Sequence, residues 1–289
     1  MLKNTVEILC EANKAVGYGH LNRSMNLYKY LNSIGIKTTI RGLDNKTTKL
    51  LPKVNTTNKL SKLLIVDVKN NTKEILQKAR KKNQLTVTFD YFGNYPPDYN
   101  IIIFPHKKAY SRIKSFIGLE YTIIKKEFLK SKNRIKKKKL TNIVIVIGGG
   151  DKKNISYKLG SLLNKKKLNV TIIYGPLIRK TPKDKNLKIY HNPSNYVDLL
   201  KKSDLIISNG GGCMLEAIIL NKPVIAIPQS IEEKNLVNFL YKKKHIYNKG
   251  ITEVKKLSKN TYIAPNKNKL IDGKGLERIS KIITKIINK

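Results

Sequence analysis

Short apolar runs recur along the chain, and between them lie stretches whose apolar residues return every three or four positions. The runs are typical of strands buried on both faces of a parallel sheet, and the stretches are typical of helices that cover such a sheet. In the first half this pattern predicts strands at 6–10, 37–40, 63–67, 85–89 and 101–104, with helices at 21–33 and 72–82. Strands that alternate with helices predict a doubly wound α/β domain.

The second half repeats this alternation of strands and helices. The predicted strands are 142–147, 169–174, 187–190, 205–208 and 223–227, and the predicted helices are 154–163, 196–202, 213–220, 234–243 and 275–289. Leu276, Ile279, Ile283 and Ile286 fall on one side of the last helix, which is therefore amphipathic. We expect two doubly wound domains that face a cleft, with ligands beyond the carboxyl ends of the strands.

A basic segment with almost no apolar residues, LKSKNRIKKKKL at 129–140, separates the two series. Such a segment is typical of an exposed linker between domains. We therefore expect an N-terminal domain at 1–130, a linker at 131–140 and a C-terminal domain at 141–289. The last helix is long enough to pack back across the cleft.

Length and composition exclude several classes of protein. The 289 residues are 40% hydrophobic, which is enough for the cores of two domains. The longest apolar runs, such as 143–147, are far short of the roughly 20 residues that span a bilayer. No apolar signal region follows the first residues, and two cysteines cannot build a disulfide framework or a four-cysteine zinc site. A reducing cytoplasm fits best, and we expect no metal, no cofactor and no obligate protein partner.

The charge is extreme, since 59 lysines and arginines face 19 acidic residues and give a net charge of +40. One interpretation is a protein that binds nucleic acid or an anionic membrane. The other is biased lysine usage at tolerant surface positions. Only seven of the basic residues are arginines, although nucleic-acid readers favour arginine for bidentate contacts. We therefore expect no specific nucleic-acid partner, while peripheral contact with an anionic membrane stays open.

The first candidate motif, GYGHLNR at 17–23, lies between the first predicted strand and the first helix. Gly17 and Gly19 permit a tight turn and a close approach of a ligand to the backbone. His20 would lie at a helix N-terminus, where the helix dipole favours the neutral ring that can accept a proton. Arg23 shares that helix face. The alternative is a helix cap with a histidine that faces solvent.

The second motif, GGGDKKN at 148–154, follows a predicted strand but lacks the Gly-Lys-Ser/Thr of a phosphate-binding P-loop. Kinase or ATPase chemistry is therefore disfavoured. Gly149, Gly150, Asp151 and Asn154 are candidate contacts to a ligand in the cleft. The alternative for Asp151 is a plain helix N-cap.

The third motif, SNGGGCMLEAIILNKPVIAIPQ at 208–229, is the most informative. A glycine turn that leads into a helix offers free N–H groups and a positive helix end, which suit a diphosphate. A carboxylate one helical turn further on can accept two hydrogen bonds from a ribose diol. The candidate ligand contacts in this string are Asn209, Gly210, Gly211, Gly212, Cys213, Glu216 and Gln229. The alternative is a glycine-rich loop before a helix with a solvated glutamate.

Other residues with reactive side chains carry weaker signals. His106, His191 and His245 have no metal-ligand spacing. Asp67 and Asp90 each end a predicted strand, where residues beside a ligand lie.

The three motifs, in this order, resemble the UDP-sugar hydrolase of the pseudaminic acid pathway and its spore-coat polysaccharide relatives. This family is similar in turn to the glycosyltransferase that adds N-acetylglucosamine to the peptidoglycan lipid precursor. The matching pieces are residues 17–23, 121–128 (YTIIKKEF), 147–154 and 208–229. The resemblance implies a GT-B fold and a water that displaces UDP at the anomeric carbon. It implies that His20 activates the water, Glu216 holds the ribose and the glycine turn holds the diphosphate.

The sequence departs from this family in four places. Asp67 is followed by Val-Lys-Asn, where the family has His-Tyr, and the usual Arg-Ser-Asp after the first strand reads Cys-Glu-Ala at 10–12. Lys125 replaces an arginine, and Glu233 replaces a glutamine. Nucleotide-sugar binding therefore agrees with the family better than the exact hydrolase substrate does.

Three hypotheses follow. The first is a UDP-sugar hydrolase that acts on a modified amino sugar for surface glycans of the nonulosonic acid type. The second is a GT-B glycosyltransferase with a UDP-sugar donor, which the missing tyrosine after Asp67 favours. The third is a non-catalytic protein that binds polyanions or RNA, which the net charge favours. Motif specificity ranks them in that order.

Overall fold

The structure, a computed structural model, describes residues 3–13, 16–52, 60–104, 113–129, 138–148, 151, 153–176, 178, 181–264 and 270–289. The chain divides into two compact units. The first comprises Met1–Ile124 and Asp272–Lys289, and the second comprises Lys125–Ile271.

Each unit contains a six-stranded parallel sheet. In the first unit the sheet has the order β2-β1-β3-β4-β5-β6 and comprises β1 (Lys3–Cys10), β2 (Thr38–Gly42), β3 (Ser61–Asp67), β4 (Leu85–Phe89), β5 (Tyr99–Ile102) and β6 (Lys114–Ile117). The second unit also holds a short antiparallel pair of β7 (Lys138–Lys139) with β14 (Tyr262–Ile263). Its parallel sheet has the order β10-β9-β8-β11-β12-β13 and comprises β8 (Asn142–Val146), β9 (Asn169–Tyr174), β10 (Lys188–His191), β11 (Leu205–Ser208), β12 (Val224–Ala226) and β13 (Asn248–Lys249).

Helices connect the strands. In chain order the described helices are α1 (Gly19–Ser33), α2 (Asn45–Thr48), α3 (Thr72–Lys81), α4 (Lys126–Leu129), α5 (Ile155–Lys165), α6 (Tyr196–Lys202), α7 (Gly212–Ile219), α8 (Ile231–Lys242), α9 (Ile251–Lys256) and α10 (Gly275–Ile287). A 3-10 turn spans Leu119–Tyr121. No helix of the described residues is both long and apolar enough to cross a membrane.

The central strands are buried on both faces, as their apolar sequences predict. Ile65 of β3 and Ile207 of β11 are completely buried. In the second unit the strands form one continuous apolar core with α5, to which Leu159 and Leu163 contribute. Burial of such side chains stabilises each unit by about 1.5–3 kcal/mol for each residue.

Each sheet reverses its strand order at one point. In the first unit β2 lies on one side of β1 and β3 on the other, so the order reverses between β1 and β3. In the second unit it reverses between β8 and β11. Ligands of doubly wound sheets bind beyond the carboxyl ends of the strands at these switch points. The two switch points are therefore the places to search for a functional site.

The predicted fold class, α/β with two doubly wound parallel sheets, is confirmed. The division of the chain differs from the sequence boundary in two respects. The second unit begins at Lys125, because Phe128 of α4 is buried and packs edge-on against Tyr196. Most of the predicted linker, residues 131–137, lies outside the described residues.

The second difference concerns the last helix, which belongs to the first unit although the sequence division assigned it to the C-terminal domain. Ile279 and Ile283 of α10 are completely buried. Lys62 Nζ donates to the carbonyl of Ile287 at 2.7 Å, and Arg278 Nη1 donates to the carbonyl of Glu120 at 3.0 Å. The apolar stripe of α10 therefore completes the core of the first unit.

Candidate functional site

His20 and Asp67 meet at the switch point of the first unit. His20 lies in the first turn of α1, and Asp67 is the last residue of β3. The His20 Nδ1 atom lies 2.6 Å from Asp67 Oδ1, and the Asp67 side chain is completely buried. An ionised carboxylate only accepts hydrogen bonds, so in the neutral ring Nδ1 carries the proton and Nε2 carries the lone pair. The histidine side chain is 26% exposed, so a ligand can reach it.

Asp67 is held ionised by further donors. Arg23 forms a bidentate pair with it, from Nε to Oδ2 at 2.9 Å and from Nη2 to Oδ1 at 2.6 Å. Ser24 Oγ donates to Oδ2 at 3.0 Å. Burial raises the pKa of Asp67, but the charge of Arg23 and the hydrogen bonds from Arg23 and His20 outweigh it and hold that pKa well below its usual value. The charged form is therefore stable although no solvent reaches it.

Arg23 itself is shared between two carboxylates. Its Nη1 donates to Asp90 Oδ2 at 2.9 Å, and its guanidinium stacks 4.6 Å above the centre of the Phe89 ring. Asp90 Oδ1 accepts from the backbone N–H groups of Ile103 and Phe104 at 2.7 and 3.1 Å. Arg23, which the sequence predicted as a ligand contact, therefore holds the Asp67 carboxylate in place. Through Asp67 it orients His20.

The loop before α1 is fastened by a buried carboxylate that the sequence analysis did not assign. Glu11 accepts from the side-chain amides of Asn13 and Asn70, and from the backbone N–H groups of Lys69 and Asn70, at 2.6–3.2 Å. Gly17 has a φ of +86° and its N–H donates to the carbonyl of Asn13 at 2.7 Å. These bonds tie the loops that follow β1 and β3 to each other beside His20.

The second unit places the glycine turn at its own switch point. Gly211 precedes α7, and Gly212 is exposed with open space where a Cβ would lie. The first N–H groups of a helix have no partner within the helix and form a site for anions. Gly148, which lies just after the neighbouring strand β8, has a φ of +55° and packs against the Asn209 side chain. The turn therefore has an open helix end beside β8.

Glu216 and Tyr196 form a buried polar pair next to this turn. Tyr196 donates its hydroxyl to Glu216 Oε2 at 3.0 Å, and Glu216 is only 9% exposed. Burial raises the pKa of Glu216 to about 7, although the Tyr196 hydrogen bond and the charge of Lys125 lower it. Among the described residues no hydrogen bond to Oε1 is formed, so this oxygen can accept one from a ligand.

The residues of the second glycine motif differ in role: Asp151 is a helix cap, whereas Asn154 is exposed. Asp151 accepts from the N–H groups of Ile155 and Ser156 at 2.7 and 2.8 Å, so both of its oxygens cap α5. Asn154 is exposed and accepts from the Tyr174 hydroxyl at 3.2 Å. The remaining predicted contacts of this motif, Gly149 and Gly150, lie outside the described residues.

The candidate residues therefore form two groups, one in each unit. The first group comprises Gly17, Gly19, His20 and Arg23, which lie on the loop after β1 and on α1. The second comprises Asn209, Gly210, Gly211, Gly212, Cys213, Glu216 and Gln229, which lie on α7 and on the loops after β11 and β12. Glu11 directly follows a strand, so its position could have been used to predict it as a candidate residue. No local sequence pattern indicates Tyr196. His106 lies outside the described residues, and no group of three potential metal-binding side chains occurs in the described ranges.

Part of the sequence is similar to a family of known proteins. The sequence profile of the UDP-N-acetylglucosamine 2-epimerase family matches residues 141–284, which include the glycine turn and Glu216. An uncharacterized protein of Methanocaldococcus jannaschii is 32% identical over 189 residues, which are 60% of this chain and 38% of that protein. The aligned part thus spans well under half of that relative's length.

Solved structures share the fold over nearly the whole chain. The UDP-GlcNAc 2-epimerase of Methanocaldococcus jannaschii, in complex with UDP-GlcNAc and UDP, has a TM-score of 0.58 at 14% identity and covers 97% of this chain and 99% of its own. The glycotransferase of kitacinnamycin has a TM-score of 0.56 at 10% identity, with 99% of this chain and 91% of its own covered. The chain therefore has the GT-B fold, and its second unit resembles the UDP-N-acetylglucosamine 2-epimerase family.

Proposed function

We propose that this protein is a UDP-sugar hydrolase that releases UDP by attack of water at the anomeric carbon of an amino sugar. Two observations support the choice of ligand. The profile of an epimerase family that acts on UDP-N-acetylglucosamine matches the second unit, and one structure of the same fold holds UDP-GlcNAc and UDP. The open helix end at Gly212 also has the chemistry that a diphosphate needs.

In this proposal the second unit binds the nucleotide. The diphosphate receives hydrogen bonds from the first N–H groups of α7, whose positive end also favours its charge. Glu216 accepts a ribose hydroxyl through Oε1, because Tyr196 already occupies Oε2. Tyr196 keeps the carboxylate in place and prevents it from turning into solvent.

The pairing of His20 with Asp67 is the observation that carries the hydrolytic step. With Nδ1–H donated to Asp67, Nε2 can take a proton from water while the water oxygen bonds to the anomeric carbon. The bond between that carbon and the β-phosphate oxygen breaks, and its electron pair leaves with UDP. Asp67 then stabilises the imidazolium, as the carboxylate does in other histidine–carboxylate pairs.

The experiment that tests the proposal measures UDP release and UDP binding in parallel. The wild-type protein, incubated with UDP-linked N-acetylated amino sugars, should yield UDP and free sugar in equal amounts without any acceptor. His20→Ala should lower the rate by about 10²–10⁴-fold and leave UDP affinity unchanged, because His20 acts only on the water. His191→Ala, an exposed histidine on β10, is the matched control and should keep full activity. Full activity of the His20→Ala variant would contradict the proposal.

The epimerase match suggests a second candidate, inversion of the sugar at C2 with UDP retained in the product. The match covers residues 141–284 and does not include His20 or Asp67, so it bears on nucleotide binding more than on the chemical step. The same assay separates the candidates. An isomeric UDP-sugar would indicate an epimerase, and UDP release only with an added acceptor would indicate a glycosyltransferase.

A further inference from the structure

Glu233 places a carboxylate at the glycine turn of the second unit. It lies in the first turn of α8, and its carboxylate accepts hydrogen bonds from two loops. Oε1 accepts from Asn209 Nδ2 at 2.5 Å. Oε2 accepts from the N–H groups of Gly210 and Gln229 at 3.1 and 2.7 Å. One side chain thus links the loops that follow the neighbouring strands β11 and β12.

Helix capping does not account for this arrangement. Ser230 and Glu233 have the spacing of a capping box, and Ser230 Oγ accepts from the Glu233 N–H at 3.2 Å. In a capping box the glutamate returns the bond to the N–H of the cap residue. Here it bonds instead to Gln229 and, across the loop, to Gly210. The carboxylate is therefore directed at the glycine turn and not at its own helix end.

The hydrogen bonds of Glu233 fill one end of the glycine turn and leave the other end open. Glu233 occupies the N–H of Gly210, and a Cβ on Gly210 would lie 2.7 Å from the Glu233 Cβ. Gly212 has open space at the same position. A diphosphate therefore has room at the Gly212 end of the turn. A ligand group at the Gly210 end would lie near the negative charge of Glu233.

The positions of Glu216 and Glu233 indicate which part of a UDP-sugar this charge would face, because Glu216 lies one turn inside α7 whereas the Glu233 carboxylate lies at Gly210, before α7. Burial raises the pKa of the Cys213 thiol to about 12, and the charges of Glu216 and Glu233 both add to the rise. Cys213 is thus within electrostatic range of both carboxylates. A ligand with its ribose at Glu216 and its diphosphate at the start of α7 would extend its sugar toward Glu233.

Resting on the proposed function, we propose that Glu233 selects the charge class of the sugar. A carboxylate has about four lone-pair positions, and the three bonds to Asn209, Gly210 and Gln229 leave one for the sugar. Sugars that present a hydroxyl, an amide N–H or an ammonium group bind there. Sugars with a carboxylate, such as uronic acids, are rejected by like-charge repulsion.

The test compares three UDP-sugars that differ in charge: UDP-glucosamine, UDP-N-acetylglucosamine and UDP-N-acetylglucosaminuronate. For the wild-type protein the dissociation constant measured by calorimetry should rise in that order, by roughly tenfold at each step. Glu233→Gln should reduce each ratio to about threefold or less, because the charge is lost while the side chain keeps its size. Glu232→Gln, which removes the same charge one residue away, should keep the wild-type ratios.

Ratios between sugars are used because any loosening of the turn affects all three ligands alike. Equal wild-type affinities for the three sugars would overturn the proposal, and this measurement does not depend on whether the variant folds. Equal ratios in the wild type and in Glu233→Gln would overturn it as well. If neither protein prefers UDP over CMP, the proposed function itself fails. If UDP binds and only the sugar order is missing, the proposed function survives and Glu233 merely fastens the turn.

Discussion

At the residue scale, the two candidate groups use buried carboxylates in opposite ways. Asp67 is surrounded by donors from Arg23, Ser24 and His20, so its charge is matched and its pKa is low. Glu216 receives one hydrogen bond from Tyr196, and burial dominates its pKa. The first arrangement orients the neighbouring His20. The second leaves Glu216 with an oxygen that can accept a hydrogen bond from a ligand.

Glu216 should therefore lower the stability of the free protein. Its pKa is about 7 in the folded chain against 4.5 as the reference value, so the carboxyl group favours folding fully below pH 4.5. That contribution disappears as the pH rises through 7. Glu216→Gln should thus raise the free energy of unfolding at pH 8 by up to about 3 kcal/mol relative to its effect at pH 4.5. Urea unfolding of both proteins at the two pH values measures the difference.

The same substitution, Glu216→Gln, should have the opposite effect on the affinity for the ligand. If Glu216 holds the ribose, Glu216→Gln should weaken UDP binding by roughly tenfold while it stabilises the fold. Glu253→Gln, an acidic residue of the same unit on α9, should change neither quantity at pH 8 beyond about 0.5 kcal/mol. Equal pH dependence in the wild type and in Glu216→Gln would contradict a raised pKa at this position.

The sequence predicted individual residues where the signal was local. His20, the glycine turn and Glu216 follow from short motifs on predicted strand ends and helix starts. The partner of His20 lies 47 positions away in the sequence, and Asp67 could only be assigned to the same sheet edge as His20. A pairing of atoms depends on strand register and side-chain rotamers, which a hydrophobic pattern does not contain. Glu233 showed only as a departure from the expected glutamine.

At the element scale, patterns predicted what each segment becomes but not what it packs against. The stripe of α10 predicted an amphipathic helix, yet its assignment to the first unit came only from the structure. An apolar stripe fits any exposed apolar surface, so periodicity cannot select between two similar sheets. The sequence did not predict strand β6, because its residues at the edge of the sheet are exposed or only partly buried and lack an apolar run.

The start of α10 should tolerate no side chain beyond glycine. A Cβ on Gly275 would lie 2.1 Å from the carbonyl oxygen of Thr122 and 2.9 Å from the carbonyl carbon of Tyr121. Both are backbone atoms, so relief requires the helix to shift. Gly275→Ala should therefore lower the free energy of unfolding by about 2 kcal/mol despite the better helix propensity of alanine.

The matched control for Gly275→Ala is Lys274→Ala, at the exposed neighbouring position. It should stay within about 0.5 kcal/mol of the wild type. Both values come from thermal or urea unfolding of the full chain. A Gly275→Ala variant as stable as the wild type would mean that α10 does not approach the 3-10 turn this closely.

At the scale of the whole molecule, acidic and basic residues have different positions. Several of the 19 acidic side chains accept hydrogen bonds from backbone N–H groups in loops, near strand starts and at helix starts: Glu11, Asp44, Asp90, Asp98, Asp151, Asp204 and Glu233. Most described lysines are exposed or only partly buried. These seven acidic residues thus serve local structure, and the net charge of +40 is carried largely by lysines at the surface.

An unopposed positive surface predicts that salt stabilises the protein. Like charges repel most strongly in the compact state, and raising the ionic strength from about 0.1 M to about 1 M shortens the Debye length from roughly 10 to 3 Å. The midpoint of thermal unfolding should therefore rise by a few degrees with sodium chloride. Acetylation of exposed lysines, which removes their charge, should raise the midpoint at low salt and abolish most of the salt response. A midpoint that falls with salt would show that attraction dominates at this surface.

Under the proposed function, RNA affinity should collapse over the same salt range, whereas UDP binding at the start of α7 should persist.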